Sequence, residues 1–82
     1  MITSSMEKLK NAFSNVLGVS LDDDFESMAY GQTTGWDSVA HMALISEIEI
    51  AFDIMLPTDD VIGMSSFLKA KEIVIRNGVS FT

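Results

Sequence analysis

The chain has no cysteine. That excludes a disulfide framework, a thiolate nucleophile and a thiolate zinc site, so any thiol chemistry must come from an added group. Basic residues are scarce: 5 Lys and Arg stand against 12 Asp and Glu, for a formal net charge of -7. A phosphate backbone repels such a surface, so nucleic acid is not an expected partner. An anionic membrane is disfavoured for the same reason. A protein with a basic patch, reached by electrostatic steering, suits this domain better. No apolar run approaches the roughly 20 residues that span a bilayer. The opening MITSSMEKLK lacks the basic start and apolar run of a signal peptide, which makes the cytoplasm the expected compartment. Alternating strand patterns, internal repeats and low-complexity tracts are also missing.

What is present is enough apolar surface, 48% of 82 residues, to fold one domain without help. A monomer is expected. A domain of this size buries roughly 60–65% of the surface its unfolded chain exposes. That sustains a core but leaves little room for a deep catalytic cleft.

Three segments carry helical periodicity. In the first, Met6, Leu9, Phe13, Val16 and Leu17 recur at spacings of three and four. Ser4 and Glu7 fit a capping box, and Gly18 follows as a stop. The spacing predicts a helix over 5–17. Residues 19–35 then read as a long loop with an acidic run, two glycines and a short helical turn near Phe25 to Met28. So long a loop in a small domain is commonly functional or packed by its own side chains. Phe25, Met28 and Tyr30 are the candidates to pin it.

The second segment predicts a helix over 38–54, capped by Asp37 and ended by Pro57. Val39, Met42, Ile45, Ile48 and Phe52, with Leu44, Ala51 and Met55 beside them, make a wide apolar face. Ser38, His41, Glu47, Glu49 and Asp53 fall mostly outside it. A short helix is expected over 59–63 and a third main helix over 66–77. The predicted fold is all-α: a small four-helix bundle of three main helices and one short one around a single core. Leu9, Phe13, Leu44, Ile48, Phe52, Phe67 and Val74 are its expected centre.

Few residues carry candidate chemistry. Ser38 and His41 share a helix face and could be read as nucleophile and base. There is one histidine, no evident oxyanion-hole loop and little volume to enclose a substrate, so a chance pair is the stronger reading. GQTTG lacks the lysine of a phosphate-cradling loop. DDDFES has Ser27 where a calcium loop needs glycine. No metal site is expected, since His41 has no second His or Cys to join it. Methionines at helical spacing are more often core than binding surface. Ser38 has its own bland reading as a helix cap. Asp37 already serves as that cap, however, so Ser38 is free to present its hydroxyl at the helix start. An anion such as a phosphate ester is favoured there.

The string GWDSVAHMALISEIEIAFDIMLPTDD, residues 35 to 60, resembles the acyl carrier protein family. An Asp-Ser pair opens the second helix of that family, followed by a hydrophobic residue, here Val39. Further on come an acidic residue, a Phe-Asp pair, and an isoleucine or leucine before a proline-acidic stretch. Here these are Glu49, Phe52, Asp53, Ile54, Leu56, Pro57, Asp59 and Asp60. The resemblance implies that a phosphopantetheinyl transferase moves 4′-phosphopantetheine from coenzyme A onto Ser38. The thiol of that group would carry an acyl or aminoacyl cargo, supplied by a loading ligase and passed to downstream transferases or synthases. No catalytic residue is implied. The cargo would be sheltered between the second and third major helices, with Met42, Ile45, Met55, Val61, Ile62 and Met64 as candidate lining. The implied partner surface runs along Asp37, Val39, Ala40, His41, Glu47 and Asp53. Fatty-acid-synthesis members usually have leucine after the serine and a more acidic start to this helix. Val39, Ala40, His41 and Ala43, together with Trp36, resemble specialised stand-alone or peptidyl-type carriers instead. The competing class is a small acidic interaction module without a prosthetic group.

Overall fold

The computed structural model describes residues 4–81, and these form four α-helices. They are α1 (Ser5–Leu17), α2 (Ser38–Phe52), α3 (Thr58–Gly63) and α4 (Phe67–Arg76), with a 3-10 turn at Phe25–Ser27 in the long loop. The all-α bundle of three longer helices and one short helix is therefore the fold. None of these helices is long and apolar enough to cross a membrane.

Local chemistry sets the helix ends. Ser4 Oγ accepts from the Glu7 N–H at 3.1 Å, and the Glu7 carboxylate accepts from the Ser4 N–H at 3.4 Å. This is the reciprocal capping box expected for α1. Gly18 closes α1 in the left-handed region, at φ 71°, where a Cβ would be strained. Asp37 caps α2, its Oδ1 accepting from the Ala40 N–H at 2.9 Å. Asp53 ends α2 at φ 54°, a conformation that short polar side chains tolerate better than most.

The core is built on Phe13 of α1. Its ring meets Trp36, Phe67 and Phe25 edge-on, with centroids at 5.2, 5.0 and 6.4 Å. Such T-shaped pairs add to the value of the buried area itself. Leu9, Leu44, Ile48, Met64, Ala70 and Val74 are wholly buried around this cluster. Phe52, expected at the core, is only partly buried and lies against Phe81 at 6.2 Å. The reason is its place as the last residue of α2: the chain turns at Asp53, and the ring covers the C-terminal segment instead of the centre.

The long loop is fastened rather than free. Phe25, Met28 and Trp36 are buried, and Ala29 pairs with Ser66 in a single antiparallel bridge. Tyr30 N–H donates to Ser65 O at 2.9 Å, and Phe67 N–H donates to Met28 O at 3.2 Å. Tyr30 itself stays largely exposed, so its ring pins the loop less than Trp36 does.

Helix α3 is too short to stand on its own hydrogen bonds. Asp60 holds it to α4: its carboxylate accepts from the Arg76 guanidinium and, at 3.0 Å, from the Asn77 side-chain amide. These contacts lower the Asp60 pKa. The Asn77 bond is the largest cause, burial opposes it, and the bond and charge of Arg76 add to it.

Two outcomes follow for stability. Phe13→Ala is expected to cost about 3–5 kcal/mol in urea unfolding, and Phe52→Ala clearly less. Equal costs would mean that Phe52 belongs to the core after all. A lowered folded-state pKa means that the Asp60 contribution is full above the unfolded value of about 3.9. It is lost as pH falls through the folded value. Asp60→Asn should therefore be less stable at neutral pH, and its stability should fall less steeply with acid than that of the parent.

Candidate functional site

The start of α2 is shaped by the loop that precedes it. Gly35, at φ 88°, lets the chain reverse. Thr33 O accepts from Trp36 N–H at 3.0 Å, and Trp36 O accepts from Gly31 N–H at 3.0 Å. The result turns the Trp36 side chain inward, 1% exposed, and leaves Asp37 and Ser38 outside. Ser38 is the first residue of α2 and exposed. Because Asp37 caps the helix, the Ser38 hydroxyl is not drawn into capping, and it has no hydrogen-bond partner among the described residues.

Trp36 begins a relay. Its indole Nε1–H donates to His41 Nδ1 at 3.0 Å. The other ring nitrogen, Nε2, lies 2.8 Å from Val61 O of α3. An indole can only donate and a carbonyl can only accept, so the partners assign His41 as the neutral imidazole protonated on Nε2. The two rings are nearly parallel, with an interplanar angle of 18°, and Tyr30 packs edge-on to His41 at 5.2 Å. Three pieces of backbone (the loop, α2 and α3) are thus joined through one side chain. This geometry also removes the nucleophile–base reading of Ser38 and His41. Neither imidazole nitrogen is free to take the serine proton.

Beside Ser38 a cleft of about 400 Å³ opens between α2 and α3. Its walls are Tyr30, Ser38, His41, Met42, Val61, Ile62, Met64 and Ser65. Met42, Val61, Ile62 and Met64 are thus brought together there. Two other candidates for the lining are not. Ile45 is buried in the core below, because it sits one turn too deep on α2. Met55 is 87% exposed, since it follows the reversal at Asp53 and points away from the bundle. On the far side of Ser38 a second, more open depression is bounded by Tyr30, Thr33, Trp36 and Asp37.

The expected partner surface divides in two. Asp37 and Val39 are exposed beside Ser38, Val39 at 79%, while Ala40 is half-buried. His41, expected on that exposed face, is turned into the relay. Glu47 lies nine positions beyond Ser38, about half a turn round the helix, and is half-buried. It does not share the serine's face. Asp53 is exposed at the opposite end of α2. The residues that sequence reasoning missed are Trp36, Tyr30 and Ser65. For Trp36 the signal was available: a lone tryptophan between a glycine and a helix cap has no cheap reason to be exposed.

Compared with known proteins, the chain matches no family model, no curated protein and no solved structure.

The relay has a measurable energy. His41→Phe keeps a flat ring but leaves the buried Trp36 N–H without an acceptor, which costs about 1–3 kcal/mol. Trp36→Phe removes that donor, so adding His41→Phe to it should cost less than His41→Phe alone. Additive losses in a double-mutant cycle would show that the two side chains are not coupled.

Proposed function

We propose that the protein is an acyl or aminoacyl carrier, modified on Ser38 with 4′-phosphopantetheine by a phosphopantetheinyl transferase. The observation that carries this reading is a solvent-exposed serine hydroxyl at the first position of α2, unpartnered among the described residues and standing at the mouth of an apolar cleft. The residues present fit the group. The N-terminus of α2 favours an anion, and its first turn contains no acidic side chain to oppose one. Asp37 holds that turn in place through Ala40. Ser38 Oγ forms the bond to phosphorus as the adenine-bearing half of coenzyme A leaves. The base that takes its proton belongs to the transferase, because His41 is committed at both nitrogens.

When bound, the group supplies a thiol that holds cargo as a thioester, chemistry that a chain without cysteine cannot offer. The chain's own residues position and shelter. Met42, Val61, Ile62 and Met64 give the cleft an adaptable apolar wall. Val39, Met42 and Ile62, at 79, 57 and 77% exposed, offer apolar contact around Ser38 to the loading ligase and the downstream enzymes. The protein is then a substrate and delivery partner rather than a catalyst. A first turn of α2 without acidic side chains favours recognition by shape and apolar contact, which suits a specialised pathway better than housekeeping fatty-acid synthesis. The same exposed apolar residues also suit a small interaction module without a prosthetic group.

Intact-mass measurement separates the two readings. Incubation with coenzyme A and a promiscuous transferase should add one phosphopantetheine to the parent and none to Ser38→Ala. Helicity should be nearly unchanged by the substitution, because Asp37 does the capping. Absence of label on the parent favours the interaction module, and label on Ser38→Ala moves the attachment point elsewhere.

A further inference from the structure

His41 is the one histidine, and it bridges the cleft through both ring nitrogens. We infer that it is a proton-operated latch: the neutral ring ties the Trp36 loop to α3 and so sets the width of the cleft beside Ser38, and protonation releases both ends. The latch rests on the carrier reading only for its effect on Ser38, not for its existence.

The argument is one of donors and acceptors. Nδ1 accepts from an indole N–H, so a proton added there would set two N–H groups against each other at a 3.0 Å heavy-atom separation. Trp36 cannot yield, because its ring is buried edge-on against Phe13 and Tyr30. The charged imidazole must move instead, and partial exposure gives it a path to water. Turning the ring out breaks the Val61 bond as well, since the two nitrogens sit on one rigid ring. Helix α3 stays attached to α4 through Asp60, Arg76 and Asn77. It therefore separates from α2 while keeping its other support, and the cleft widens at its Ser38 end.

The ionisable neighbours leave this balance to His41. Tyr30 of the loop meets the ring edge-on. Asp37, the α2 cap about one turn before it, has its carboxylate on the Ala40 N–H. On α3, Asp59 is exposed, and Asp60 is occupied by Arg76 and Asn77. The walls of the cleft include no Asp, Glu, Lys or Arg side chain. Histidine is also the side chain whose charge changes near neutral pH.

The test uses the full chain without any added group. One tryptophan and one histidine give one indole N–H and one imidazole signal, so each can be followed without ambiguity by NMR from about pH 8 to about pH 5, above the isoelectric point of 4.2. The expected result is a single shared midpoint for the His41 ring, the Trp36 indole N–H and the Val61 and Ile62 amides. In His41→Gln, whose amide can both accept and donate, the indole and amide signals should hold still over that range. A ring that titrates while the indole and Val61 stay put overturns the latch. So does the same titration persisting in His41→Gln. The second measurement is the rate of Ser38 labelling from coenzyme A, taken as the ratio of parent to His41→Gln at each pH so that the transferase's own dependence cancels. That ratio should change several-fold through the same midpoint. A constant ratio overturns the link to Ser38. Shared NMR titration with no labelling of either chain upholds the latch and removes the carrier reading instead.

Discussion

The buried indole of Trp36 is the contact on which the arrangement around Ser38 depends. An indole brings a large apolar body and one N–H that cannot be left unsatisfied in the interior. The body packs against Phe13 of α1, which draws the end of the long loop into the core. The N–H then needs an acceptor, and His41 on α2 supplies it. Accepting at Nδ1 forces the proton to Nε2, and Nε2 reaches the Val61 carbonyl of α3. A single burial requirement is passed through three elements in this way, and it fixes the position of the exposed Asp37-Ser38 pair between them.

Helix α3 shows why such ties are needed. Its six residues cannot hold a helix by themselves. It is held from one side by the Asp60 contacts to α4 and from the other by His41. Glu49 adds a third restraint nearby, its carboxylate accepting from the Leu56 N–H at 2.9 Å in the connection from α2. Polar side chains thus do the positioning on this side of the molecule, while the aromatic cluster does it on the other. A short helix held by a few polar contacts is the element of the bundle most open to displacement, and it forms one wall of the cleft.

Helix α2 is apolar on more than one side. Leu44, Ile45 and Ile48 enter the core. Val39, Met42 and Ile50 are equally apolar yet face solvent. A helix with apolar residues on more than one face either lies deep in a protein or offers a face to something else. So small a domain has no deep interior for such a helix, and on the turn that follows Ser38 the exposed Met42 is a wall of the cleft.

Much of this was written in the residues one after another. The capping box of Ser4 and Glu7, the stop at Gly18, the Asp37 cap and the apolar stripes of α1 and α4 are all local, and they gave the helices within about a residue or two. The exposure of Ser38 was legible for the same reason, since Asp37 occupies the capping role one position earlier. Other features depend on what meets what across the bundle. The sequence by itself could not say that Phe52 ends its helix over the C-terminal segment, that Ile45 goes below the cleft and Met55 outside the bundle, or that Glu47 stands away from the serine's face. Nor could it give the ring of His41 its partners, which lie five residues before it and twenty after. Periodicity tells which residues share a side of one helix. Only the packing of that helix against its neighbours decides which side becomes core, cleft or surface, because burial is a property of two surfaces brought together.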